Sequence, residues 1–215
     1  MRLDLKENIE FPFSDPEWAL KLLKTSVCYL FLLPFPAIVG YQIAVIREAA
    51  NGEDETMPEF SGANFGSLWV KGFIFSLMLG LVIMVPAMGV GAVTVGACMA
   101  LEGSSSDAAA GVVICGVLLA MLLIFIGCVF MPALLLRYAM TDSASSLVDL
   151  KAAWNDMKQG PGDYALIFFF PMIASFVTTL VSATGVGMIL VIPLTILAMI
   201  IQARMLGNYY RAYFH

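Results

Sequence analysis

The sequence predicts an all-α fold, a polytopic bundle of transmembrane helices, and three observations carry that prediction. Sixty per cent of the 215 residues are hydrophobic and only 13% are charged, with a mean hydropathy of +0.90. A soluble chain of this length needs more polar surface than that. The apolar residues are also gathered into uncharged runs, Thr25–Ile46, Gly72–Leu101, Ala108–Leu136 and Tyr164–Ala203. Each reaches the ~20 residues that a helix needs to cross a bilayer, and the last is long enough to cross twice. None alternates as the strands of a membrane barrel do. Thirdly, all eleven Lys and Arg fall in four stretches, Arg2–Lys24, Arg47–Lys71, Arg137–Lys158 and Arg204–Arg211, while the connections around Gly103–Asp107 and Ala183–Gly187 carry none. Every cation can therefore lie on one side of the membrane, which the positive-inside rule makes the cytoplasmic side. The expected arrangement is four full spans, over 68–101, 108–138, 164–183 and 187–206, with a Pro-broken segment ahead of them and amphipathic helices at the surface.

Residues 1–24 read as an N-terminal interfacial segment. Its acids, Asp4, Glu7 and Glu10, and the lack of a small-residue cleavage site are unlike a secretory signal. Ser14 followed by Glu17 has the form of a capping box, flanked by Phe13 and Trp18 as a hydrophobic staple. Trp18 is then expected at headgroup depth. Segment 25–46 is interrupted by Pro34-Phe35-Pro36, which removes two backbone donors within three residues. It is either a kinked span or a re-entrant pair of half-helices. A full span would place the four cations of Arg2–Lys24 opposite the other seven, so the charges favour re-entry and put both termini in the cytoplasm.

The 68–101 span has Trp69 near its start, contains Pro86, and carries small residues at a spacing of four, Ala87 with Gly91 and Ala92 with Gly96. Such pairs admit a neighbouring helix closely, either within the bundle or from a partner. Gly103 suits a helix end and Ser106 or Asp107 the next helix start. The 108–138 span ends at Arg137-Tyr138. Thr141-Asp142-Ser143 supplies N-cap candidates for a surface helix over 144–158, with Leu147, Leu150, Trp154 and Met157 as its apolar face and Lys151, Asp156 and Lys158 on its wet side. Gly160-Pro161-Gly162 ends it. The 164–183 and 187–206 helices form a hairpin, and Tyr209-Tyr210-Arg211 follow as interfacial anchors with Trp18, Trp69, Arg137 and Trp154. A faint internal echo sets Pro36-Ala37, Tyr41 and Trp69 against Pro132-Ala133, Tyr138 and Tyr164.

The residues that chemistry requires are missing from the apolar runs. No ionisable side chain lies inside them, which argues against an ion-coupled transporter or an intramembrane protease. Lys71, Arg137 and Arg204 stand at run ends, where snorkelling accounts for them. The single histidine is His215, so His-based metal clusters and His-assisted nucleophiles drop out. Cys28, Cys98, Cys115 and Cys128 read as packing residues without metal-like spacing. Glu53-Asp54-Glu55 with Glu59 lacks the order of a calcium loop. No catalytic residue, cofactor or metal site is expected, and a net charge of −5 argues against nucleic acid. Ser175, Thr178, Thr179 and Ser182 make a polar stripe that either packs or lines a pathway.

The stretch Gly40–Arg47, the loop ending Met57-Pro58-Glu59-Phe60, and Trp69-Val70-Lys71-Gly72 resemble an uncharacterised prokaryotic family of integral membrane proteins, the domain of unknown function numbered four thousand and thirteen. The surface helix around Ala152–Lys158 and the closing Gly207–Arg211 are similar to that family too. The resemblance implies a bacterial or archaeal cytoplasmic-membrane protein and brings no catalytic residues. The expected role is a non-enzymatic membrane subunit or scaffold, in contact with lipids and with a membrane-protein partner or a second copy of itself. The alternative is a permease or channel-like component for an uncharged or lipidic solute.

Overall fold

The computed structural model describes residues 3–30, 35–52, 56–60, 62–100, 106–184 and 186–214. Pro34, the acidic stretch Glu53-Asp54-Glu55, the turn around Gly103, Gly185 and His215 lie outside them. The described chain is almost entirely helical: α1 (Leu5–Ser14), α2 (Trp18–Leu30), α3 (Phe35–Asn51), α4 (Gly62–Ala100), α5 (Ser106–Thr141), α6 (Leu150–Gln159), α7 (Pro161–Ser182) and α8 (Val191–Phe214), with short 3-10 turns at Ala144–Leu147 and Val186–Leu190. Helices α4, α5, α7 and α8 are long and apolar enough to cross a membrane. The fold is an all-α polytopic helical bundle.

Helix α1 starts on Asp4, whose carboxylate accepts from the N–H groups of Lys6 (2.9 Å) and Glu7 (3.3 Å). Ser14 is its last residue and donates back to the Phe11 carbonyl, so Ser14 is not the cap expected from sequence. Asp15 takes that place. Its carboxylate accepts from Glu17 N (2.8 Å) and its carbonyl from Trp18 N (3.1 Å). A carboxylate binds an orphan N–H more strongly than a hydroxyl does, and this one is held by two further donors described below. Phe13 and Trp18 meet edge-to-face, 5.0 Å apart, as a staple requires.

Helix α2 has 13 residues and α3 has 17, Pro36 standing in the first turn of α3; the expected break at Pro34 lies outside the described residues. Helix α3 then becomes the centre of the core. Ala37, Ile38, Tyr41, Ile43, Val45, Ile46 and Ala49 are all buried on it, because α4, α5 and α8 pack around it. Backbone contact makes this possible: Gly40 lies against Leu68, Gly72 against Pro36, and Gly207 against Ile46 and Ala49. A side chain at any of the three would push α4 or α8 away from α3.

Two hairpins extend from this centre, α4 with α5 and α7 with α8. In the first, Thr94 sits over Gly116 and Ile83 over Gly127. Helices α4 and α5 run continuously through Pro86 and Pro132. At Pro132 the α5 ladder is repaired from outside. The Tyr164 hydroxyl donates to the Val129 carbonyl (2.6 Å) and accepts from Ala133 N (3.3 Å), which ties the two hairpins together.

The surface helix differs from expectation in start and in face. The 144–158 segment divides into a 3-10 turn and α6, and α6 is capped by Asp149, which accepts from Ala152 N (3.0 Å). Ala153 and Met157 point inward, while Leu150 and Trp154 are exposed. Asp156 is not on the wet side, since Arg137 draws it inward.

The core occupies one end of the molecule. Among the described residues, no apolar side chain between Ser76 and Met131, or between Phe168 and Thr195, is buried.

Candidate interaction surfaces

Charged residues concentrate at the core end and pair across elements. Lys21 binds Asp15 (2.7 Å) and the Met57 carbonyl (2.8 Å), and Met57 N donates to the same carboxylate (3.0 Å). The loop after α3 is thereby clasped to the start of α2. Arg47 pairs with Asp142 and donates to the Ala139 carbonyl, and Lys71 lies 3.5 Å from Asp142. Arg137 binds Asp156 (2.7 Å), and Arg204 binds Glu7 (3.2 Å) while lying over the Phe11 ring. Lys71, Arg137 and Arg204 therefore do not simply snorkel to water. Arg204 is only 6% exposed, and a cation so placed needs a carboxylate partner and a hydrogen-bonded setting.

Two of these acids are shifted. Burial works to raise Asp15, but the hydrogen bonds from Lys21, Glu17 N and Met57 N, with the Lys21 charge, hold it below the ordinary carboxylate value. The hydrogen bond from Arg47 lowers Asp142 against burial, aided by the charges of Arg47 and Lys71.

The anchors expected at the interface divide into groups. Trp18, Trp69, Arg137, Tyr210 and Arg211 are half-buried and Trp154 is exposed. Trp69 stacks on Phe73, and Tyr210 on Phe214. Tyr209 is instead fully buried, donating to the Asp156 carbonyl (2.7 Å) and accepting from Gly160 N (3.1 Å). Helix α8 simply continues through it, so Tyr209 fastens the junction of α6 and α7 rather than marking a membrane surface.

The small residues of α4 face outward. Gly91, Ala92 and Gly96 are exposed and Ala87 is half-buried. A Cβ added at Gly91 or Gly96 would meet nothing within 4 Å. Nothing in the described chain covers this face.

Of the polar stripe, Ser175, Thr178 and Thr179 line a cleft of about 240 Å³ between α7 and α8, together with Thr195 and Gln202; Ser182 is not part of it. The hydroxyls of Thr178, Thr179 and Thr195 donate to carbonyls of their own helices, one turn back. Gln202 was missed from sequence, although a signal was present. Pro171 cannot donate to the carbonyl of Ile167, and Gln202 Nε2 reaches that carbonyl at 3.5 Å. Among the described residues no three His, Cys, Asp or Glu side chains gather as a metal ion would require.

Four long apolar helices, a core confined to one end and ion pairs collected there define a multi-span helical membrane protein. Residues 26–186, most of the chain, match the family described as Protein of unknown function (DUF4013), and the chain belongs to that family. No curated protein and no solved structure matches it.

Proposed function

We propose that this chain is a non-enzymatic membrane subunit or scaffold, and that its α4–α5 hairpin is covered by another membrane protein or by a second copy of the chain. One observation carries the reading: apart from the contact of α4 with α5, the membrane half of that hairpin is covered by no described element. In the most apolar 18 residues of α4 only 6% of the residues are buried, and in those of α5 none is. Lipid wets a helix face without selecting it, whereas small residues at Gly91, Ala92 and Gly96 allow the close helix approach that drives association in a bilayer. A photo-crosslinking residue at Ala92 is expected to trap a discrete adduct in native membranes, and one at exposed Lys151 on α6 is not. Lipid adducts alone at Ala92 would refute the reading.

In this proposal the protein sits in the cytoplasmic membrane of a prokaryote, with segment 25–46 re-entrant and both termini cytoplasmic. The first and last helices support it. Glu7 of α1 binds Arg204, and Asn8 accepts from Asn208 at 3.0 Å, both on α8. With α1 held against the same helix end that follows four spans, α2 and α3 add no net crossing.

A permease for an uncharged or lipidic solute is the second reading, favoured by the hydroxyl-lined cleft between α7 and α8. It requires solute flux from the reconstituted chain alone, lost on combining Thr178→Val with Thr179→Val. Co-purification of a stoichiometric partner, without such flux, selects the subunit.

A further inference from the structure

A second surface, away from the small-residue face of α4, has the chemistry of a lipid site. Where α5, α6 and α7 meet there is a groove of about 330 Å³, walled by Val129, Trp154, Tyr164, Phe168 and Phe169, with Lys158 at its rim. That volume falls in the range of small-molecule sites. Helix α6 ends at Gln159 and the apolar span of α7 begins at Pro161. The groove therefore opens where the chain enters the apolar layer and runs into it along α7. Phe169 is half-exposed on its outer wall, so the groove is open sideways to the membrane.

Its single cation is available. The Lys158 ammonium lies 5.0 Å from the centre of the Trp154 ring, and no carboxylate among the described residues comes within ion-pair distance of it. The acids of α6 and α7 are engaged elsewhere: Asp156 binds Arg137, and Asp163 accepts from the Tyr213 hydroxyl at 2.7 Å. A cation at the head of an apolar trough, at the depth of the headgroups, matches a molecule that carries a negative head on an acyl tail.

We propose that this groove holds an anionic glycerophospholipid, with its phosphate on Lys158 and one acyl chain along Tyr164, Phe168 and Phe169. A zwitterionic lipid presents its own ammonium to Lys158 and gains less. Trp154, on the wall, is a built-in reporter. The full chain carrying Trp18→Phe and Trp69→Phe keeps Trp154 as its only tryptophan. Reconstituted in phosphatidylcholine vesicles, its fluorescence is titrated with brominated-chain phosphatidylglycerol or brominated-chain phosphatidylcholine. One cation at the surface corresponds to a preference of about fivefold for the anionic lipid. Lys158→Gln is expected to abolish the preference and Lys151→Gln, an exposed cation on the same helix but outside the groove, to leave it. Wild-type protein, analysed by intact mass with the same two lipids, gives the same comparison without the tryptophan changes. Equal occupancy by the two lipids overturns the proposal, and so does a preference that survives Lys158→Gln or vanishes with Lys151→Gln.

Discussion

At one end of α4, Gly72 is pressed against the backbone of Pro36; at the other, Gly91 and Gly96 face open space. The two ends share a residue type and an apolar composition, yet Gly72 is pressed against another helix and the glycines of the far end meet nothing on their face. In a membrane this difference is informative, because lipid tails are as apolar as the helices. Burial of apolar area cannot drive helices together there, so contact must come from close fit and from polar pairing. The core end has both: Gly40, Gly72 and Gly207 allow the fit, and Lys21, Arg47, Arg137 and Arg204 supply the pairing. At the far end, Gly91, Ala92 and Gly96 lie on a face of α4 that no described helix receives.

The sharpest way to break the comparison is to exchange the consequences at its two ends. Gly72→Val inserts a branched side chain between α4 and α3 and is expected to cost roughly 3 kcal/mol or prevent folding. Gly96→Ala should change stability by about 0.5 kcal/mol or less. Thermal unfolding of both in one detergent compares them directly, and equal losses would mean that the hairpin end is packed within the chain after all.

Asp15→Ala tests the pairing half of the argument. It leaves Lys21, which is largely buried, without its carboxylate, and breaking such a pair costs roughly 3 kcal/mol. The loss should be local, with the Met57 amide gaining hydrogen exchange while α4 and α5 stay as they are. Acid should mimic it. The Asp15 carboxyl is lowered in the folded chain, so its stabilisation is complete above the ordinary value of ~3.9 and is lost as pH falls through the lowered one. Met57 is therefore expected to stay protected at pH 5 and to lose protection only in stronger acid.

Tyr164→Phe removes both hydrogen bonds that mend α5 at Pro132, for an expected loss of roughly 1–2 kcal/mol. The change should loosen the join between the hairpins, read as faster proteolysis in the α6 region. At the small end of the scale, Thr178→Val with Thr179→Val should leave the unfolding temperature nearly unchanged. Those hydroxyls bond only within their own helix turns.

How much of this was legible in the sequence follows the same division. The spans were, since an uncharged run longer than the bilayer is thick has few other places to go, and the Gly160-Pro161 junction was visible for an equally local reason. The ion pairs were not. Arg204 and Glu7 are 197 residues apart in sequence, and Lys21 and Met57 are 36 apart. A cation at the end of an apolar run looks the same whether it reaches water or an acid brought in by the fold. The N-cap failed by one residue because Asp15 also serves Lys21 and Met57, which no local pattern contains. The inward turn of Tyr209 was hidden similarly, for its partners, Gly160 and Asp156, lie on other elements. The uncovered face of α4 could be read as a stripe of small residues, but only the fold establishes that no described helix occupies it.

The account rests most heavily on that uncovered hairpin. The direct test is to extract the protein into native lipid discs, weigh the intact complex and identify what it retains. A defined protein partner, or a second copy, at fixed stoichiometry is predicted for the wild type, and its loss in Gly96→Leu with folding intact. A single chain surrounded only by lipid, unchanged by that substitution, would contradict it.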